Sequence, residues 1–576
     1  MNEAKQNLSK KAFENLEKWL NEERFSNFRN EILSEIEQRN WLELEDAFFK
    51  TLEFGTAGRR GKVGAGPNRI NAITIAESAQ ALADYLREGK IENPSVAVAY
   101  DVRNSSAELA KICAEVLGAN GVKVYFFEDF RSTPELSFAV RHLKTGAGIV
   151  ISASHNPPED NGIKIYWSDG AQISAPHDQN LLAIAQNISR VQRGDFVNLQ
   201  QQKRIEIIGE EIDRAYISRV VALAKSQSRE LKIAFSPIHG TGWTNLLKTL
   251  LAAGFKDIAV VEEQMRADGD FSSLPDQKPN PENLAANQLA IQKMQETHAD
   301  IALTTDPDAD RICVISHEKN GEARVFSGNE TAILVADFIL SKGTSGFSKP
   351  YFEGVKFICK SFVTTEALNI LAQKYGVKIY DNLPVGFKFI GKKIRERELL
   401  GDEFLAGFEE SLGGLVGAQV RDKDAATIGL MAAELAAELK LKNQTLGEKL
   451  AEIYAEIGNF AEKTEVIEFS GAEGFKKMQE IMARARKGEI AANARKIRDF
   501  ENLRARDLRT GEISNFEMLE KTNAVSFEFD SPHRRIALRP SGTEPKLKIY
   551  AQWLFENPAE RVKIDSILED FKRRIL

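Results

Sequence analysis

Ser154 stands in the run Ser152-Ala153-Ser154-His155-Asn156-Pro157, directly after the apolar stretch Gly148-Ile149-Val150-Ile151. The apolar stretch reads as a buried strand and the Asn-Pro pair as the turn that ends it. A serine among small and polar residues at a strand end is accessible, which suits a nucleophile or a phosphate carrier. The chain continues Pro158-Glu159-Asp160-Asn161-Gly162-Ile163-Lys164-Ile165-Tyr166, so a lysine returns ten residues after the serine. Taken by itself, the segment also reads as a strand followed by an ordinary Asn-Pro turn.

A second segment, Thr304-Thr305-Asp306-Pro307-Asp308-Ala309-Asp310-Arg311, follows the strand-like Ile301-Ala302-Leu303. Three carboxylates at alternate positions of a turn converge and repel one another, so they call for a cation. Hard oxygen ligands in so small a cluster favour Mg²⁺, which keeps positions open for water or a phosphate oxygen. Calcium sensing of the EF-hand type is opposed by Arg311 at the sixth position, where glycine is needed, and by His317 at the twelfth, where glutamate is needed. A solvated acidic turn is the alternative.

Two further segments carry polar chemistry. In Gly407-Phe408-Glu409-Glu410-Ser411, a carboxylate and a hydroxyl two residues apart on one face of a loop can bridge vicinal sugar hydroxyls. The same residues also suit an acid-rich helix N-terminus. In Arg539-Pro540-Ser541-Gly542-Thr543-Glu544-Pro545-Lys546, two hydroxyls, a glycine and a guanidinium form a compact oxyanion cradle. It lacks the Gly-Lys-Ser/Thr ending of a nucleotide-binding loop, and a polar turn between strands is its plainer reading.

In this order the four segments resemble those of the α-D-phosphohexomutases, the phosphoglucomutase and phosphomannomutase superfamily. ASHNP with its NGIK continuation resembles the phosphoserine loop, and DPDADR the loop that holds Mg²⁺ beside it. GFEES resembles the sugar-binding loop of the longer phosphoglucomutase-like and phosphopentomutase-like members, and RPSGTEPK the phosphate-binding loop. Phe54-Gly55-Thr56-Ala57-Gly58-Arg59-Arg60-Gly61 resembles the family's N-terminal segment, and Gly328-Asn329-Glu330, Gly386-Phe387-Lys388 and Arg421-Asp422-Lys423-Asp424 resemble segments of its third domain. The likeness spans roughly residues 50–575. Two positions depart from it: Gly413 stands where some members carry histidine, and Ala425 where glycine is common.

The resemblance implies a phosphosugar mutase. The expected activity is that of a phosphoglucomutase, interconverting glucose 1-phosphate and glucose 6-phosphate through a phosphoserine enzyme and a bisphosphorylated sugar. Ser154 would carry the phosphate and join Asp306, Asp308 and Asp310 on Mg²⁺, with Arg311 assisting the phosphate. Lys164 and Arg60 would assist proton transfer, and His155 would orient the serine or its phosphate. Glu409 and Ser411 would hold sugar hydroxyls, Gly386 and Lys388 would join them in substrate binding, and Arg539, Ser541, Gly542 and Thr543 would hold the phosphate that is not transferring. Glucose 1,6-bisphosphate is the expected activator and intermediate. Phosphomannomutase and phosphopentomutase activities are the alternatives within the class, and a non-catalytic phosphosugar-binding regulator is the alternative outside it. A kinase or phosphatase is opposed by the lack of a nucleotide loop and of a second aspartate-based nucleophile motif.

These segments need scaffolding. A chain of 576 residues, 43% hydrophobic and 28% charged, suggests roughly four globular domains. Alternating strand and helix patterns predict α/β architecture with mixed sheets, and the resemblance implies three related α/β domains plus a C-terminal α+β domain around a central cleft. The expected divisions are a helical extension over 1–47, then domains over 48–205, 206–317, 318–455 and 456–576. Phe13, Leu16, Trp19 and Leu20 give the extension an amphipathic face that is expected to pack on the first domain. Residues 475–498 are expected to be helix-rich. The net charge of −7 opposes general attraction to nucleic acid or anionic membrane. Neither a signal peptide nor a membrane span is legible, and Cys113, Cys313 and Cys359 sit in separate apolar stretches as reduced core thiols do. A cytoplasmic enzyme with a small phosphosugar as its partner is expected, with no obligate protein partner indicated.

Overall fold

Five short helical segments open the chain, Asn2–Asn7, Lys10–Asn21, Glu23–Phe28, Arg29–Glu37 and Trp41–Phe48. The computed structural model describes residues 1–576 apart from 53–57, 90–93, 189, 344–353, 470, 492 and 542–544. The opening helices bury an aromatic core of their own, in which Trp19 stacks on Phe25 at 4.2 Å and meets Phe48 edge-on. Phe13 and Leu20 pack at its margin. The bundle is fastened to the segment that follows: Arg69 pairs with Glu43 and Asp46, and the Ala65 amide donates to Glu31.

The chain forms two compact units. The first comprises residues 1–224, 232–313 and 419–430; the second comprises 225–231, 314–418 and 431–576.

Within the first unit, a six-stranded sheet runs in the order Gly58–Lys62, Asp160–Trp167, Ala147–Ile151, Ser95–Tyr100, Lys123–Phe127, Ile205–Ile208. Its first two pairings are antiparallel and the others parallel. All five residues of Ala147–Ile151 are buried, as a central strand covered on both faces requires. Helices Ala72–Glu88, Ser106–Ala119 and Thr133–His142 cover the sheet, and two of them open with reciprocal capping boxes, Asn71 with Thr74 and Ser132 with Glu135. A second set of parallel strands, Lys232–Ser236, Asp257–Val260 and Ile301–Thr305, places the acidic turn at the end of the last of them.

Within the second unit, Lys378–Leu383, Lys356–Ser361, Glu403–Glu409 and Gly413–Val416 form a mixed four-stranded sheet. A seven-stranded antiparallel sheet follows, in the order Asn459–Glu468, Lys546–Phe555, Arg535–Pro540, Val525–Glu528, Lys496–Asp499, Arg504–Asp507, Ile513–Asn515. Helices Gly471–Lys487 and Ile564–Ile575 lie against it.

The helix-rich reading of 475–498 holds over 475–487 and needs correction beyond it. The helix stops at Lys487, Gly488 adopts φ +86, and Lys496–Asp499 is a strand paired on both edges. Lysine and arginine favour helices, but Ile497 enters the core and pairing with two neighbours outweighs that local preference. All three cysteines are buried and free of disulfides. Among the described residues, no helix is long and apolar enough to cross a membrane.

Candidate active site

Ser154 lies just past the end of the buried strand Ala147–Ile151, itself 5% exposed, in the left-handed conformation at φ +52. That conformation costs a non-glycine residue roughly 1–2 kcal/mol, so surrounding contacts must enforce it. The Ser154 amide donates to the Ser152 hydroxyl at 2.8 Å. Arg103 donates to the carbonyls of Ser154, Asn156, Pro157 and Asp160. The hydroxyl itself donates to Asp306 Oδ2 at 2.7 Å, and His155 Nδ1 lies 3.3 Å from it.

The three aspartates are buried, and each offers one oxygen within 4.8 Å of the others'. Ala309 at φ +51 supplies the sharp turn between two of them. The Arg311 amide donates to Asp306 Oδ1 at 3.0 Å. Asp308 Oδ2 accepts from the Thr133 hydroxyl at 2.6 Å and from Lys164 Nζ at 2.5 Å. Asp310 lies 3.1 Å from Lys423, which also pairs with Asp422, and Asp422 accepts from Tyr166 and Gln172.

Charge is unevenly distributed here. Burial, reinforced by Asp308 and Asp310, pushes the Asp306 carboxyl well above the usual carboxylate range. Burial also raises Asp310, with Asp308 adding to it. Burial opposes ionisation of Asp308 as well, but Lys164 and Thr133 override it and hold that carboxyl below its ordinary value. Lys164 responds in kind: its burial works against the ammonium, yet Asp308 and Asp310 keep its pKa above that of a free lysine. Burial and the Arg311 and Arg60 charges hold His155 well below the imidazole range, so this ring is neutral near pH 7.

One oxygen of Asp308 and one of Asp310 are buried with no hydrogen-bond partner. A buried unsatisfied carboxylate oxygen is expensive, and a bound cation would satisfy both at once. Three hard oxygen donors on one short turn suit a divalent metal ion, so the residues fit the metal they were expected to hold.

Arg60 lies on the strand opposite Gly162, and its charge reaches His155. Ser154, His155, Lys164, the three aspartates, Arg311 and Arg60 therefore come together within the first unit. Sequence reading missed Arg103, Thr133 and Tyr166, which hold these groups in place. The Asp101-Val102-Arg103 triplet just beyond a buried strand was the available signal for the first of them.

The second unit carries the other expected residues. Glu409 ends a strand, Ser411 lies in the turn that follows, and Leu412 at φ +59 reverses the chain so that Glu409 pairs with Gly413. A hairpin turn, not a helix N-terminus, therefore presents this carboxylate and hydroxyl. Glu409 accepts from the Gly386 amide at 2.8 Å, and Gly386 adopts φ +125, a conformation open to glycine. Lys388 is the second residue of the helix Phe387–Glu398 and is buried. Gly328 sits so close to the hairpin that a Cβ there would meet the Glu410 carbonyl at 2.2 Å. Arg539 sits on the strand Arg535–Pro540, and the Ser541 amide donates to the Lys546 carbonyl. Burial raises the Tyr550 hydroxyl, with the charges of Glu410 and Glu409 adding to it and that of Arg539 opposing, so the sugar-loop acids and the cradle arginine act electrostatically on one group. Gly542 and Thr543 lie outside the described residues, as do Phe54, Gly55, Thr56 and Ala57.

Comparison with known proteins gives a consistent result. Three successive regions match the family descriptions "Phosphoglucomutase/phosphomannomutase, alpha/beta/alpha domain" I, II and III, over residues 51–192, 214–320 and 327–457. A phosphoglucomutase of Staphylococcus haemolyticus is 35% identical over 523 residues, covering 89% of this chain and 92% of that protein. One from Staphylococcus saprophyticus is 33% identical over 556 residues, covering 95% and 97%. Among solved structures, a putative phosphomannomutase from Thermus thermophilus superposes with a TM-score of 0.65 at 20% identity, covering 91% of this chain and 99% of that one. Parafusin, a phosphoglucomutase from Paramecium, gives 0.67 at 19%, covering 91% and 94%. The two superpositions show a shared fold.

Proposed function

The chain belongs to the phosphoglucomutase/phosphomannomutase family, and on that footing we propose that it is a phosphoglucomutase working through a phosphoserine at Ser154. The observation that carries this reading is the Ser154 hydroxyl 2.7 Å from Asp306, inside a cluster of three aspartates with two unsatisfied oxygens. A serine hydroxyl alone is a poor nucleophile, so a standing phosphoserine supplies the reactive group.

In one half-reaction the phosphoryl group leaves Ser154 Oγ for the free hydroxyl of the hexose monophosphate, giving glucose 1,6-bisphosphate. The Oγ–P bond breaks, a P–O bond to the sugar forms, and the hydroxyl proton passes to the protein. In the other, the second phosphate of that sugar returns to Ser154. Asp308 holds Lys164 as an ammonium, so it starts as a proton donor: it would give a proton to Ser154 Oγ as the Oγ–P bond breaks and, once neutral, take the proton of the attacking sugar hydroxyl, which leaves it an ammonium again. His155, neutral and 3.3 Å from Oγ, orients the serine oxygen. Arg60 and Arg311 add positive charge for the transferring phosphate. Mg²⁺ held by Asp306, Asp308, Asp310 and a Ser154 phosphate oxygen would neutralise charge on the transferring group. Glu409 and Ser411, with Gly386 and Lys388 beside them, take the sugar hydroxyls. Arg539, Ser541, Gly542 and Thr543 take the other phosphate.

The test is a panel of glucose, mannose and pentose phosphates, each assayed with and without glucose 1,6-bisphosphate. Fastest turnover of glucose 1-phosphate, stimulated by the bisphosphate, supports the reading. Turnover of none of them refutes it.

A further inference from the structure

We propose that Arg103 is a positioning residue that holds the serine loop in its reactive conformation. This rests on the mutase reading above.

The terminal nitrogens of a guanidinium carry four N–H groups, and here they meet four carbonyls of one loop. Nη2 donates to Ser154 O at 2.7 Å and Asn156 O at 2.5 Å; Nη1 donates to Pro157 O at 2.7 Å and Asp160 O at 2.8 Å. The side chain is buried, and Nε faces Asp101 Oδ2 at 3.3 Å. Asp101 in turn accepts from the Arg103 amide and from the Ser106 hydroxyl, which sets the arginine's direction from the end of its own strand. The guanidinium lies 5.2 Å from the centre of the Phe271 ring, and Asn104 donates to Asp270 beside it. One residue is thus fastened to the strand Ser95–Tyr100, to the serine loop and to the segment around Phe271.

The arrangement explains a feature that the loop's own residues do not. Ser154 at φ +52 has no glycine to ease the turn, and among its described contacts the carbonyl is held only by Arg103. A lysine has one nitrogen and cannot reach four carbonyls spread over residues 154 to 160. The charge is also internal to the scaffold, because its four terminal donors are spent on backbone oxygens and its Nε faces the buried Asp101. Arg103 therefore acts on the reaction through the placement of Ser154 Oγ.

The experiment compares wild type with Arg103→Lys and Arg103→Ala, using full-length protein with Mg²⁺. Arg103→Lys is expected to lower kcat about a hundredfold with KM nearly unchanged, because misplacing a reacting atom by an ångström costs that much. Guanidinium ion added to Arg103→Ala is expected to restore part of kcat, an effect absent in wild type. Independently of activity, amide hydrogen exchange followed by mass spectrometry should quicken in a peptide spanning 152–162 of Arg103→Lys and stay unchanged in helix Ile564–Ile575. An Arg103→Lys variant with wild-type kcat, or with unaltered exchange over 152–162, overturns the proposal. If Arg103→Ala does not fold, Arg103→Lys decides alone. A wild type without mutase activity refutes the function proposed above, while the exchange comparison still tests the clamp.

Discussion

The Ser154 hydroxyl donates to Asp306 at 2.7 Å, although 152 positions separate the two residues in the chain. The turn at the end of one sheet and the acidic turn at the end of another meet there, so the serine stands directly against the carboxyl cluster proposed to hold the metal ion. Ser154→Ala should fold normally and lose nearly all turnover. Intact-mass analysis of active wild type should show a phosphate-sized addition that the variant lacks. Full activity in Ser154→Ala would end the phosphoserine mechanism.

The buried oxygens of Asp308 and Asp310 that accept no hydrogen bond lead to a metal requirement. Exhaustive chelation should abolish activity and Mg²⁺ should restore it. Asp308→Asn removes one negative ligand and should slow the reaction at least about tenfold, equal to roughly 1.4 kcal/mol of transition-state stabilisation. Activity that persists through chelation contradicts the assignment.

Arg539 separates binding from chemistry. A residue that holds the idle phosphate serves both directions of the reaction, so Arg539→Ala should lower kcat/KM both ways. Loss of a charge-assisted contact worth roughly 1.5–3 kcal/mol gives about a ten- to hundredfold effect. Added glucose 1,6-bisphosphate should partly rescue the variant by replacing intermediate that escapes. Unchanged kcat/KM in both directions would make this segment a plain turn.

Glu462 gives a pH dependence of stability. Burial lifts its carboxyl to about 7, even though the Thr365 hydroxyl donates to it. A carboxyl with its folded pKa above its unfolded value binds its proton more tightly in the folded state. Its stabilising effect is therefore full below about pH 4.5 and is lost as pH rises through about 7. Glu462→Gln still accepts from Thr365 and carries no charge. It should be more stable than wild type above pH 7, by on the order of 3 kcal/mol, with the difference shrinking below pH 4.5. Parallel stability curves for the two proteins across that range would refute this.

The chemistry-bearing residues were legible because each group of them lies on one short turn after an apolar strand, as Asp306, Asp308 and Asp310 do after Ile301–Thr305. What held them was harder to read. Thr133 begins a helix and Tyr166 lies within a strand, positions that look structural until Asp308 and Asp422 are seen against them. Arg103 was hidden for a related reason: its partners are backbone carbonyls, which carry no side-chain signature. Local preference misled at Lys496–Asp499, where pairing with distant strands decides the conformation. At Glu409 the sequence left two readings open, and Leu412 at φ +59 selects the hairpin.

Cys113, Cys313 and Cys359 are the chain's three cysteines, and burial raises all three thiols, that of Cys313 to about 12. The native fold is therefore nearly inert to maleimides and other thiol-directed dyes. A single cysteine substituted at Val562, which is 75% exposed, becomes a unique address for a fluorophore on the C-terminal part of the chain. A second at Leu42, 90% exposed on the opening helices, makes a donor–acceptor pair without removing any native residue of the core. Any change in the distance between the two labels during turnover is thus open to direct optical measurement with the buried thiols left in place.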